Sequence, residues 1–223
     1  AWTWWVQVFK KQPATDFAAL DEIIHFAQIS KNGFEYAKAA INENDSDKFE
    51  TLREKLVKYE EISDRIEHEI AAFLNALSAK EVSESTSAKI KAMYKIIGEL
   101  ESLGDSGESI SRILARKNIH NKTFDADTIK KLNNMADYVA NAYDVMIENL
   151  TTAHSGKLDS ITNAYNAEDR INNLRNNLRD AEIEDIENGN KNYQTSVYYM
   201  DLINELERMG DFMINVSQDL ERS

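Results

Sequence analysis

Cysteine is absent from this 223-residue chain, which excludes a disulfide framework, thiolate zinc sites and cysteine nucleophiles. That absence fits a reducing compartment such as the cytoplasm. Proline occurs once and glycine seven times. These two residues are the main interruptions of helices. Their scarcity, beside abundant Ala, Leu, Ile, Glu, Lys and Asn, gives an all-helical composition with few loops. No apolar run approaches the ~18 residues of a membrane span. Basic residues are also few, 26 against 39 acidic ones, for a formal net charge of −13. Such a surface repels phosphate backbones and anionic lipid, so nucleic acid is not an expected partner. The phosphate-binding pattern G-x-x-x-x-G-K-[ST], the dinucleotide pattern G-x-G-x-x-G and the hydrolase elbow G-x-S-x-G are all missing.

What is present begins with AWTWWVQVFKKQ, where Trp2, Trp4 and Trp5 cluster with Val6, Val8 and Phe9 ahead of Lys10 and Lys11. No basic residues precede the apolar part and no small-residue cleavage site follows, so it does not read as a signal peptide. Tryptophans favour the membrane–water interface and lysines its cytoplasmic side. Residues 1–13 are therefore expected to be a juxtamembrane segment, with a short amphipathic helix as the alternative. Ala at position 1 in place of Met adds the expectation of a fragment or processed product.

Beyond Pro13, apolar residues recur at helical spacing in six stretches. They run from Phe17 to Ile41, from Phe49 to Leu77, through Met93 to Leu114, and near 126–153, 158–187 and 191–221. Polar breaks at NENDSD (42–47), SAKEVSESTS (78–87), KNIHNKTFDAD, His154-Ser155-Gly156 and Asn188-Gly189-Asn190 separate them. Six long helices joined by short polar loops predict an antiparallel bundle architecture.

The heptad ELESLGD at 99–105 returns as ELERMGD at 205–211, an offset of 106. One helix earlier, Asp64-Arg65-Ile66 matches Asp169-Arg170-Ile171 at 105, and in the first helix Phe34-Glu35 lines up with Tyr143-Asp144 at 109. Three matches in one order indicate an internal duplication: an all-α fold of two repeated three-helix bundles, residues 14–118 and 119–223. A glycine inside a helix costs about 1 kcal/mol against alanine, so Gly104 and Gly210 are expected where another helix approaches closely.

On a helical wheel centred on Ile97, the core stripe holds Met93, Leu100 and Gly104, while Glu101, Asp105 and Glu108 fall at about +40°, +80° and +20°. Centred on Leu56, Glu60, Asp64 and Glu67 take the same angles on the preceding helix. Two E-x-x-x-D-x-x-E rows therefore flank the apolar seam. Clustered carboxylates repel unless protonated, paired or bridged by a cation, and iron, magnesium, manganese or zinc suits oxygen ligands. The plainer alternative is neutralisation by Arg65, Lys91, Lys95 and Arg112 in boundary salt bridges. Glu22 and His25 form an E-x-x-H, half of a di-iron carboxylate motif whose second half is missing. Asp64 and His68 sit one turn apart and read as a surface pair, His120 and His154 as loop residues, and Tyr198-Tyr199-Met200 as core.

NELERMGDFMINV at 204–216, ELESLGDSGESI at 99–110 and the two DRI triplets resemble the PhoU family, over residues 14–223. The resemblance implies two three-helix repeats and regulation of phosphate transport without catalysis. It also implies metal clusters held by E-x-x-x-D motifs. Carried over, the ligands are Glu60, Asp64, Glu101 and Asp105, with Glu108 beside them, in the first repeat, and Asp169, Glu207 and Asp211 in the second. Where the family commonly has His after Gly-Asp, this chain has Ser106 and Phe212. In the second repeat Tyr165, Asn172 and Ile214 stand where Glu60, Glu67 and Glu108 do in the first, so any metal is expected in the first. Free-standing family members partner a phosphate importer and a sensor kinase; similar domains form the cytoplasmic C-terminal part of bacterial sodium/phosphate cotransporters. The aromatic-basic start favours the second branch, at the cytoplasmic face of the inner membrane, with a homodimer left open. A helical adaptor without metal and a carboxylate-metal enzyme are the other classes considered.

Overall fold

The computed structural model describes residues 14–223, and the expected juxtamembrane segment at 1–13 lies outside them. Six helices follow one another: α1 (Asp16–Asn42), α2 (Ser46–Ser78), α3 (Glu84–Ile119), α4 (Ala126–Ser155), α5 (Thr162–Glu187) and α6 (Tyr193–Arg222). The described residues contain no strand. The polar breaks start the helices through their side chains. Thr15, Asp45, Ser83, Asp125 and Asn192 each accept a hydrogen bond from an amide in the first turn. Such a cap satisfies a donor the helix cannot, and is worth about 1 kcal/mol. α5 has no side-chain cap. Ile161 stands there instead, buried against Ala164 and Ile214. The residues just before it form a loop in which the Ser160 hydroxyl accepts from the Thr162 amide (3.2 Å), so α5 begins later than the spacing predicts.

All three helices touch within each repeat, and the repeats join along two seams, α1 against α4 and α3 against α6. Each seam helix thus meets its own repeat copy. α2 and α5 pack chiefly inside their own repeats. In the α1–α4 seam the buried Ser30 and Tyr143 hydroxyls share a hydrogen bond of 2.9 Å, and the Phe34 ring tilts against Tyr143. At its rim Lys31 pairs with Asp144 and Lys38 with Asp137, while Asn42 and Asn133 exchange amide hydrogen bonds. In the α3–α6 seam the Asn215 amide donates to Glu99 (3.3 Å). One apolar core runs through both repeats. Each fully buried Ile or Leu in it contributes roughly 1.5–3 kcal/mol.

Burial bears out two of the three repeat offsets. Ile23, Phe26, Ala27 and Phe34 are buried, and so are Leu132, Met135, Ala136 and Tyr143, each 109 residues later. Ile96, Leu100, Leu103 and Ile110 correspond in the same way to Leu202, Leu206, Met209 and Val216 at 106. The middle helix differs. A Cβ on Gly104 would lie 2.8 Å from the Ser63 Cβ, whereas one on Gly210 would meet the Ile171 side chain at 3.0 Å. Ile171 lies 108 residues after Ser63, not 105. The D-R-I triplet therefore matches letters and not positions. A slip of three residues is about 300° of helix, which leaves the apolar stripe within about 60° of its place, so a short sequence match cannot detect it. Packing against the α6 glycine fixes the register.

Candidate functional site

The seam between α2 and α3 gathers the acidic rows. Gly104 lets the α2 backbone come close, since its Cβ would lie only 3.8 Å from the Glu60 Cα. Carboxylate oxygens of Glu60, Glu101 and Asp105 lie within 4.8 Å of one another, as do those of Asp64, Glu67 and Glu101. Glu101 belongs to both groups. Its pKa is pushed up to about 7, by burial first, then by the Asp105 charge and a hydrogen bond to Asp105. Glu60 is raised by burial and then by Asp105, Asp64 and Glu108. Glu67 is raised by burial, with His68 acting the other way. For Glu60 and Glu101 every charge behind the shift is another carboxylate, and a carboxyl–carboxyl hydrogen bond requires a proton held between the two.

Of the basic residues expected to neutralise the row, Arg112 does so only at Glu108 (2.8 Å), and Lys95 acts on Asp219. Glu108 stands outside both three-ligand groups, though its charge still reaches Glu60. The salt-bridge alternative holds at that end of the row. At Glu60 and Glu101 burial and neighbouring carboxylates raise the pKa, and a hard or borderline cation with oxygen ligands fits the donor set.

In the second repeat the corrected register changes the assignments. Glu168, missed by the sequence reading, is the partner of Asp211: burial raises its pKa first, then the Asp211 charge, and the two carboxyls share a hydrogen bond. This repeats the Glu60–Asp105 pair. Glu207 is raised by burial and by Asp211, but Arg175 acts in the opposite direction. Arg175 stands 108 residues after Glu67, and Asn172 the same distance after Asp64. Asp169 is exposed and only a minor contributor at Glu168. Tyr165 is exposed too, and its hydroxyl accepts from Gln218. Three carboxylates remain, Glu168, Glu207 and Asp211, yet among the described residues no acidic group of this repeat brings three ligand atoms together. The apolar pattern does not separate the two registers, since Ile70 falls on Leu178 at 108 while Leu56 falls on Ile161 at 105.

The remaining candidates separate cleanly. The His68 Nδ1 lies 2.8 Å from the Asp64 carbonyl oxygen on the exposed face, a surface pair as expected. His120 shares a short hydrogen bond with Tyr198. Tyr199 is buried, and Tyr198 and Met200 pack on the core. His154 is no loop residue: it lies in the last turn of α4, stacks on Phe17 and faces Asp21. Glu22 is buried while His25 is half exposed beside it.

Solved structures similar to this fold include two PhoU proteins. The phosphate transport system regulatory protein PhoU from Streptococcus pneumoniae is 14% identical with a TM-score of 0.72, over 99% of this chain and 95% of that one. PhoU from Pseudomonas aeruginosa is 14% identical with a TM-score of 0.67, over 91% and 93%. No curated protein matches the sequence. The PhoU domain model matches twice, over residues 23–114 and 132–220, once in each repeat, and the chain belongs to the PhoU domain family.

Proposed function

We propose that this chain is a non-catalytic regulatory domain of phosphate transport, acting on a phosphate transporter at the cytoplasmic face of a bacterial inner membrane. The family match across both repeats carries the reading. The regulated transporter is proposed to be a sodium/phosphate cotransporter whose cytoplasmic part this chain supplies, a reading supported by the interfacial character of Trp2, Trp4, Trp5, Lys10 and Lys11. A free-standing regulator working through a separate importer and a sensor kinase is the alternative.

The metal is assigned to the first repeat, with Glu60, Glu101 and Asp105 as principal ligands and Asp64 and Glu67 beside them. A bound iron, zinc, manganese or magnesium ion would neutralise the row and tie α2 to α3. Asp169, Glu207 and Asp211 are not assigned an ion, because Arg175 already offsets Glu207. In-frame deletion of residues 14–223 in the host, followed by phosphate-uptake measurements at low and high external phosphate, tests the reading. Uptake that no longer responds to phosphate supply is expected. An unchanged response would overturn it. Co-purification then separates the branches: a sensor kinase recovered with the chain favours the free-standing form.

A further inference from the structure

We propose a second, unrelated cation site on α1, built from Asp21, Glu22 and His25, with His154 of α4 as a fourth donor within reach. Ligand atoms of Asp21, Glu22 and His25 all lie within 4.8 Å of one another. Spacing of i and i+3 sets the Glu22 carboxylate and the His25 imidazole on one helix face, with their Oε2 and Nδ1 atoms 3.8 Å apart. The His154 Nε2 stands 3.9 Å from the Asp21 Oδ1. Both gaps are too long for hydrogen bonds. Two donors at about 2.0–2.2 Å from one tetrahedral ion stand about 3.4 Å apart, so small side-chain adjustments close either gap onto a metal.

A cluster of this kind is common on helical surfaces and needs more than proximity. Here Glu22 supplies it. Only 2% exposed, it holds its Oε2 toward His25 without any hydrogen-bond partner, and the buried His154 Nε2 is equally without one. A buried carboxylate oxygen left in this state costs free energy unless a cation or proton meets it.

The second repeat shows how the same fold treats a buried acid that needs no ion. Glu182 of α5 is 3% exposed, and Lys191 and Lys131 both stabilise its charged form while Ser196 hydrogen-bonds to it. Lys131 is the residue 109 positions after Glu22, and Asn134 the one 109 after His25. Where the second repeat has lysine and asparagine, the first has a carboxylate and an imidazole. Two carboxylates with one or two imidazoles form a mixed oxygen–nitrogen set, which suits zinc, cobalt, iron or manganese better than magnesium or calcium. His25 and Asp21 are partly exposed and give the ion its way in.

Cobalt(II) added to the purified chain, followed by visible absorption, is the test, with zinc(II) calorimetry beside it. Wild type and Asp105→Asn are expected to take up cobalt with the absorption of an imidazole-bound ion. His25→Ala, a change at a half-exposed position, is expected to lose at least tenfold in affinity and most of that absorption. The isosteric Glu22→Gln should do the same, and His154→Gln should lose less. Cobalt spectra and affinity unchanged in His25→Ala would overturn the proposal. Loss of the imidazole-bound absorption in Asp105→Asn would overturn it as well, by moving the ion to the α2–α3 row.

Discussion

Across the α2–α3 seam of the first repeat Glu101 faces Asp64 and Glu67, whereas across the α5–α6 seam of the second Glu207 faces Arg175. The helices, their order and the glycine on the third helix are shared. One seam has like charges that require a proton or a cation from outside; the other carries part of its counter-charge, Arg175, within the chain. Duplication of a fold thus preserves the scaffold while two exchanges, Asn172 and Arg175 in the places of Asp64 and Glu67, remove two carboxylates from the seam and add one counter-charge, although Glu168 and Asp211 still share a carboxyl hydrogen bond. The lesson lies in electrostatics, because the packing tolerates either set.

The largest separation between the repeats is expected in metal affinity. In a His25→Ala background, Asp105→Asn should weaken manganese or zinc binding by tenfold or more, about 1.4 kcal/mol, as read by calorimetry. Asp211→Asn should leave it unchanged. Equal losses from both would erase the distinction between the seams.

Next comes the glycine. Gly104→Ala drives a methyl into the Ser63 Oγ, which can rotate away, and into the Ser63 Cβ, which cannot move without the α2 backbone. Overpacking of about 1–3 kcal/mol, less a helix gain of about 1, leaves a net loss of up to about 2 kcal/mol, read from denaturant midpoints. Gly210→Ala meets the flexible Cδ1 end of Ile171 and should cost less than half as much.

Smaller again is the pH response of metal-free protein. Glu101 titrates near 7 when folded against a usual 4.5, so the folded state binds more protons than the unfolded one between these values. Its contribution is full below about 4.5 and lost as pH rises through 7, and melting temperatures should fall between pH 5 and 8. Saturating manganese should flatten that fall, and Glu101→Gln should shrink it. Glu22, also raised to about 7, adds a like slope that Glu22→Gln removes. A melting temperature that climbs over this range would contradict the assignment. Least affected should be Glu168→Gln, whose half-buried side chain keeps its hydrogen-bonding shape toward Asp211 and Asn172; a shift beyond about 0.5 kcal/mol would mark it as more than a relic.

Much of this was legible in the residues. Helical spacing and polar caps gave the six elements, and the E-L-E-x-[LM]-G-D heptads gave the repeat, since both depend on local chemistry. The carboxylates of α2 and α3 were legible for the same reason: a wheel angle fixes which shoulder a side chain occupies. The α5 register was not, because a one-turn slip conserves the wheel and leaves only the partner helix to decide. Glu168 was lost with it. At Glu108 the ion pair with Arg112, one turn along (2.8 Å), is the neutralisation the sequence also offered. The Asp21–His154 approach joins residues 133 positions apart, beyond any spacing rule.

The two seams also bear on how the chain folds. The Ser30–Tyr143 and Glu99–Asn215 contacts span 113 and 116 residues, while Gly104 and Ser63 are only 41 apart. Closing the longer loops adds entropy that the shorter ones do not, so each repeat is expected to assemble before the two dock. Tyr143→Phe, which removes the buried hydroxyl pair, should then accelerate unfolding with little change in the folding rate, whereas Ile66→Val inside the first repeat should slow folding. Stopped-flow chevrons of the two variants read this directly, and a slowed folding limb in Tyr143→Phe would mean that the seam forms in the transition state and the duplicated halves fold as one.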